Sequence, residues 1–156
     1  MHIHFYERIW ISIAVVAIIL MFGAVAAAGF SFGVHMPGDM GMVDPAALNE
    51  DPDFSNPGVF DKGDGKYEVV MIAQTWQFNP SKISVPAGSE VTFKVTSRDV
   101  THGLMIENTN VNVMIIPGQV SEFTVKLSKS GSFNMICHEY CGVAHQTMTG
   151  QINVTP

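Results

Sequence analysis

Near the C-terminus the chain reads Cys137-His138-Glu139-Tyr140-Cys141-Gly142-Val143-Ala144-His145-Gln146-Thr147-Met148, which sets two thiols, the His145 imidazole and the Met148 thioether at short spacings. Thiolate and thioether are soft ligands that favour copper. Zinc sites use Cys and His but seldom Met, and hard ions need carboxylates. Copper is therefore the leading metal. Cys137 and Cys141 are the only two cysteines of the chain, so in an oxidising compartment a disulfide between them is the rival reading. A coiled loop would allow it, since a disulfide wants Cα atoms about 4.4–6.8 Å apart. A disulfide, however, explains neither His145 nor Met148.

A mononuclear blue-copper site needs one Cys, two His and a weak axial ligand. The spare thiolate here allows two coppers bridged by both sulfurs, each completed by one imidazole and one weaker ligand. That arrangement needs a second histidine from elsewhere, and His102, in the stretch Ser97-Arg98-Asp99-Val100-Thr101-His102-Gly103, is the choice. His2 and His4 lie too near the N-terminus, His35 sits in a linker, and His138 reads as an exposed side chain inside the loop. His35, Met36, Met40 and Met42 have the softness to bind copper, but flexible surface filler accounts for them as well.

The elements that must position these ligands are strands. From residue 66 onward, runs rich in Val, Ile, Thr and Phe (YEVVMIA, ISV, EVTFKVTS, VNVMII, EFTVKL, SFNMIC and GQINV) are separated by turn residues at 86–88, 117–118 and 130–131. In EVTFKVT, Val91, Phe93 and Val95 alternate with Thr92, Lys94 and Thr96, the pattern of an antiparallel sandwich or barrel with one wet face. The copper loop falls between the last two runs, and His102 follows EVTFKVTS, which suits one end of a sandwich.

The N-terminal part is different in kind. Residues 9–34 carry no charged side chain, and roughly 20 apolar helical residues cross a bilayer. A cleaved signal peptide is the rival, but its apolar region normally runs about 7–15 residues. Only Glu7 and Arg8 are charged before the segment, whereas Asp39, Asp44, Glu50, Asp51 and Asp53 follow it, so the N-terminus is expected in the cytoplasm and the C-terminal domain outside. The expected organisation is a cytoplasmic N-terminus (1–8), a transmembrane helix (9–34), a Pro/Gly/Asp/Met-rich linker (35–66) and a β-domain (67–156). After the span, seven basic residues face thirteen acidic ones, a net charge near −6. Nucleic acid is excluded as a partner on that ground. An acidic surface suits a basic protein partner, or serves solubility alone.

The loop, read as CysXxxGluXxxCysXxxXxxXxxHisXxxXxxMet, together with the upstream Asp99-Val100-Thr101-His102, resembles subunit II of cytochrome c oxidases and its binuclear copper A site. The resemblance covers about residues 74–155 and includes TrpGlnPheAsnPro, SerValProAlaGly and AsnValAsnVal. It implies an all-β, cupredoxin-like Greek-key sandwich or barrel carrying one N-terminal transmembrane helix. By the family's pattern Cys137 and Cys141 bridge the two copper ions, His102 and His145 each ligate one, Met148 is a weak ligand and Glu139 gives its backbone carbonyl. Trp76 and Phe78 fall where the family takes in electrons, although an aromatic on a strand is by default core packing. The family commonly has two N-terminal spans and this chain has one, which looks most like the compact B-type haem-copper oxidases. In many relatives the loop glutamate also helps hold Mg at the junction with the haem subunit, a site the compact branch does not always keep.

The implied function is an electron-accepting subunit of a terminal respiratory oxidase in the cell membrane, taking electrons from cytochrome c and passing them to haem in subunit I, where oxygen becomes water. The chain carries no Ser/His/Asp set and no phosphate-cradling glycine loop, so chemistry on a substrate belongs to the partner. The copper A subunit of a nitric oxide reductase is the nearest alternative. A membrane-tethered copper carrier, and a disulfide-stapled structural β-domain, are alternatives from other classes.

Overall fold

The computed structural model describes residues 4–32, 38 and 40–156, and His35 and Met36, weighed above as soft ligands, lie outside them. The chain divides into two compact units, Met1–Val34 and His35–Pro156.

In the first unit, helix α1 runs from Phe5 to Phe32, 28 residues or about 42 Å at a rise of about 1.5 Å each. It is long and apolar enough to cross a membrane. It begins ahead of the charge-free stretch because His4 and Glu7 build its first turn. The Glu7 carboxylate accepts the His4 N–H at 2.9 Å, and Arg8 N–H donates to the His4 carbonyl at 3.1 Å. This is the glutamate half of a capping box, which satisfies an otherwise orphaned donor.

The second unit is a sandwich of two five-stranded sheets. Its strands are β1 (Gly58–Gly63), β2 (Lys66–Gln74), β3 (Gln77–Asn79), β4 (Lys82–Pro86), β5 (Ser89–Ser97), β6 (His102–Ile106), β7 (Asn112–Ile115), β8 (Ser121–Leu127), β9 (Gly131–Ile136) and β10 (Thr149–Thr155). One sheet has the order β1, β2, β5, β8, with β3 paired to β2; the other has the order β4, β10, β9, β6, β7. The pairs β2 with β5 and β4 with β10 are parallel, and the remaining pairs are antiparallel. The seven runs read from the sequence all appear as strands. The additional β1, β3 and β6 are short, and β6 opens on His102 and Gly103 rather than on an apolar run.

Alternation builds the core between the sheets. Val91, Phe93 and Val95 of β5 point inward and are wholly buried, and Phe123, Val125 and Leu127 of β8 are buried beside them. Phe93 and Phe123 are register partners, and their rings stack at 5.2 Å with 8° between planes. Such a pair adds about 0.5–1.5 kcal/mol beyond the area it buries.

Strand β2 is buried on both faces. Val69, Met71 and Ala73 face the sandwich interior, while Val70 and Ile72 face outward into a second cluster with Leu48, Phe54 and Val120. The stretch 35–66, expected as a linker, thus supplies β1 and a cover for the outer face of β2. Lys94 on β5 pins that cover through Asp53 at 2.6 Å, and Arg98 does so through Asn49 at 2.9 Å. Isolated apolar residues at 48 and 54 give no periodic signal, which is why composition alone reads as linker. Replacing Phe54 by Ala should therefore cost about 3–5 kcal/mol in urea unfolding of the chain in detergent, the range for a buried Phe truncation. A change near zero would show that this segment is not part of the folded domain.

Candidate metal centre

Register brings the ligand-bearing residues to one end of the sandwich. β6 and β9 are antiparallel with Met105 opposite Ile136, so the start of β6 lies beside the loop that leaves β9. That loop is closed by the sheet itself: Ile136 pairs with Thr149 across β9 and β10, and Cys137 N–H donates to the Met148 carbonyl at 3.2 Å. Inside the loop a single 3-10 turn, His145–Thr147, is held by His145 N–H to Gly142 O at 3.1 Å and Met148 N–H to His145 O at 3.1 Å. The turn folds His145 and Met148 back onto Cys141.

The two thiols are free and buried, with sulfurs 3.8 Å apart, far beyond the about 2.05 Å of a disulfide. Around Cys137 Sγ lie His102 Nδ1 at 4.0 Å and the Glu139 carbonyl oxygen at 3.3 Å. Around Cys141 Sγ lie His145 Nδ1 at 3.5 Å and Met148 Sδ at 3.7 Å. Among the described residues, the ligand atoms of His102, Cys137 and Cys141 all fall within 4.8 Å of one another. A metal that bonds sulfur at about 2.3 Å, as zinc does, can reach both thiolates across that gap. The donor set of two thiols, two imidazoles, a thioether and a carbonyl is soft, which suits copper.

His102 is fully buried, and its orientation is fixed from behind. Its Nε2 lies 2.8 Å from Asp99 Oδ1, which leaves Nδ1 turned toward the thiols. Burial alone would raise the Asp99 pKa. Its hydrogen bonds with His102, the Thr75 and Val100 amides and the Thr75 hydroxyl outweigh burial and lower it to about 2. Burial, then the hydrogen bond and charge of neighbouring Cys137, push the Cys141 thiol up to about 11. Metal-free, Cys141 is thus a neutral thiol at neutral pH. A bound cation reverses that preference, because coordination deprotonates a thiol.

Of the two aromatics weighed for electron uptake, Phe78 is buried in the core, where a docking protein does not touch it. Trp76 is 38% exposed, and its Nε1–H donates to the Cys141 carbonyl at 3.1 Å. Its indole lies against Gly142, whose φ of +118° and 3.0 Å clearance for an added Cβ both call for glycine. His138 is exposed, as its place in the loop suggests. Its ring lies over Gly103, where a Cβ would come within 2.5 Å of it, and its Nδ1 is 3.5 Å from Glu139 Oε1. Asp99 and Thr75 are supporting residues that the ligand-by-ligand reading passed over. Asp99 stood three residues before His102 in the motif, whereas Thr75 left no signal.

Residues 68–155 match the family described as cytochrome c oxidase subunit II, periplasmic domain. Over 96% of this chain and 91% of the relative, it is 35% identical to a cytochrome c oxidase subunit 2 of Thermus thermophilus. A second Thermus thermophilus cytochrome c oxidase subunit 2 is 38% identical over 78% of this chain and 92% of its own length. Among solved structures, a chain of a haem-copper terminal oxidase dimer superposes with a TM-score of 0.79 at 33% identity, covering 96% of this chain and 99% of that one. The periplasmic domain of subunit II of cytochrome oxidase from Bradyrhizobium japonicum, at 22% identity and a TM-score of 0.53, shares the fold.

The Asp99 carboxyl has a pH signature that can be measured on metal-free chain. Its folded pKa of about 2 lies below the about 3.9 of an unfolded Asp, so its stabilisation is complete above the unfolded value and is lost as pH falls through the folded one. The stability difference between wild type and Asp99→Asn, read from urea midpoints, should hold above pH ~5 and shrink between about pH 4 and 2. A difference that stays constant down to pH ~2 would contradict the hydrogen-bonded carboxylate.

Proposed function

Since the chain belongs to the cytochrome c oxidase subunit II family, we propose that its β-domain accepts electrons for a terminal respiratory oxidase at a binuclear copper A centre held by His102, Cys137, Cys141, His145, Met148 and the Glu139 carbonyl. The cupredoxin-like fold, a His/Cys cluster able to hold a soft metal, and membership of a family of oxidase subunits support this reading, in which the chain pairs with a haem-bearing subunit I in the membrane. The observation that carries the binuclear reading is the partition of donors. Each buried thiol has its own imidazole and its own weaker donor, with the two sulfurs close enough to be shared.

A copper pair held by these residues would supply a one-electron couple, with cytochrome c as the proposed donor and subunit I as the proposed acceptor. The chain's part is to keep the ligands from moving. Fixed ligands on a loop closed by backbone hydrogen bonds need little rearrangement when charge changes, and the buried shell around the sulfurs tunes potential. Trp76, half-exposed and bonded to the Cys141 carbonyl, is the side chain through which an electron from a docked donor reaches the loop, with Phe78 packed in the core of the same hairpin. In the proposed topology the N-terminus is cytoplasmic, α1 spans the bilayer once and residues 67–156 stand on the outer side. Oxygen is the proposed acceptor of the complex, and the Glu139 carboxylate, 39% exposed, remains available to a Mg ion at the junction with subunit I.

Copper content and electron paramagnetic resonance of the loaded chain test the centre. Two coppers per chain with one unpaired electron shared equally between them is the expected result. A single copper, or none with Cys137 and Cys141 joined, would remove the oxidase reading. For Trp76→Leu, stopped-flow reduction by cytochrome c should slow at least about tenfold, a loss of about 1.4 kcal/mol in the transition state, with the copper spectrum intact. An unchanged rate with the same spectrum would dispose of the uptake role.

A further inference from the structure

The hairpin between β2 and β3 turns in two residues, Thr75 and Trp76, since Gln74 pairs directly with Gln77. Neither residue offers a donor atom to the metal cluster, yet one bonds the carboxylate behind His102 and the other bonds the Cys141 carbonyl. Thr75 donates twice to Asp99 Oδ2, from its amide at 2.7 Å and its hydroxyl at 2.8 Å. The other oxygen, Oδ1, takes the Val100 amide at 2.7 Å and faces His102 Nε2 at 2.8 Å. Four donors therefore fill one carboxylate, and it cannot rotate without breaking several of them. The neighbouring Trp76 holds the cysteine loop through the Cys141 carbonyl.

We propose that Thr75 is a positioning residue of the metal centre, acting through Asp99 to hold the His102 ring with its proton on Nε2 and its Nδ1 lone pair directed at the cysteines. This rests on reading His102 as a copper ligand. An imidazole with both nitrogens unrestrained samples two tautomers and can flip about its χ2 bond, and only one of those states presents Nδ1 as an acceptor. Asp99 selects that state because a carboxylate accepts only. Thr75 in turn selects the rotamer of Asp99. The amide of residue 75 donates whatever its side chain, so the hydroxyl is the removable part, and Thr75 is exposed, so its replacement opens no cavity in the core.

The test uses the full chain in detergent, first metal-free and then titrated with Cu(I) against a competing chelator. In metal-free Thr75→Val, nitrogen-15 NMR should show His102 losing its single Nε2–H tautomer, with that proton exchanging with water at least about tenfold faster. Copper affinity should fall about tenfold, the lower end of the roughly 10–100-fold cost of losing a supporting partner. Thr75→Ser, which keeps the hydroxyl, should restore both. Wild-type tautomer, exchange and affinity in Thr75→Val would overturn the proposal. His102→Ala separates this from failure of the ligand reading. If that variant binds copper as tightly as wild type, His102 is not a ligand and the premise fails; if it binds weakly while Thr75→Val behaves as wild type, the premise stands and the role of Thr75 falls.

Discussion

Two sulfur atoms 3.8 Å apart in a buried pocket cannot both carry charge unless a cation stands between them. Burial first, then the hydrogen bond and charge of Cys137, keep Cys141 protonated in the metal-free protein, and the rest of the domain can be understood as the apparatus that holds the pair together regardless. Thiols left to themselves would separate or oxidise. What prevents separation is the ladder between β9 and β10, which closes immediately below the loop, and the 3-10 turn that returns His145 and Met148 to Cys141. A metal bound here would meet candidate ligands already gathered and would need chiefly to displace protons, so little of its binding energy would go to ordering the chain.

The same constraint explains the depth of support behind the second imidazole. His102 comes from a different strand, and its ring is turned toward the cysteines by a carboxylate three residues earlier in the chain. Register between β6 and β9 delivers the backbone to the right level, and Asp99, braced by the β2–β3 hairpin, determines where the ring points. The core of stacked Phe93 and Phe123 and the covered outer face of β2 make that hairpin a fixed point rather than a mobile one. Rigidity at the ligands is thus inherited from packing elsewhere in the sandwich.

How much of this could be seen in the sequence follows from range. The cysteine loop was legible because its candidate ligands sit within one short segment whose residue types point to soft-metal chemistry, and the long alternating strands were legible because their period is two. The choice of His102 needed the expectation that it lies at the same end of a sandwich, which register then supplied. The contacts that orient it were not legible. A carboxylate bound by a distant backbone amide, or an indole N–H on a carbonyl, leaves no pattern of residue types, since almost any residue offers an amide or a carbonyl. The role of residues 43–54 was hidden for a related reason: two isolated large side chains, Leu48 and Phe54, cover a strand without any period of their own. The start of α1 at Phe5 was missed because hydrophobicity marks where a helix can be buried, whereas a cap marks where it begins.

The closure of the loop by paired residues at its two ends bears on how such a domain can change over generations. Ile136 and Thr149 face each other across the ladder, so every residue from 138 to 147 lies outside the hydrogen-bond register of the sandwich. Insertions, deletions and exchanges there leave the framework's pairings in place, much as one bit is swapped in a fixed chuck. Loss of Cys141 alone would leave one thiol with the imidazoles and the thioether on an unaltered scaffold. Paired and single metal sites would thereby be neighbours in sequence space, separated by changes in a segment outside the strand pairings.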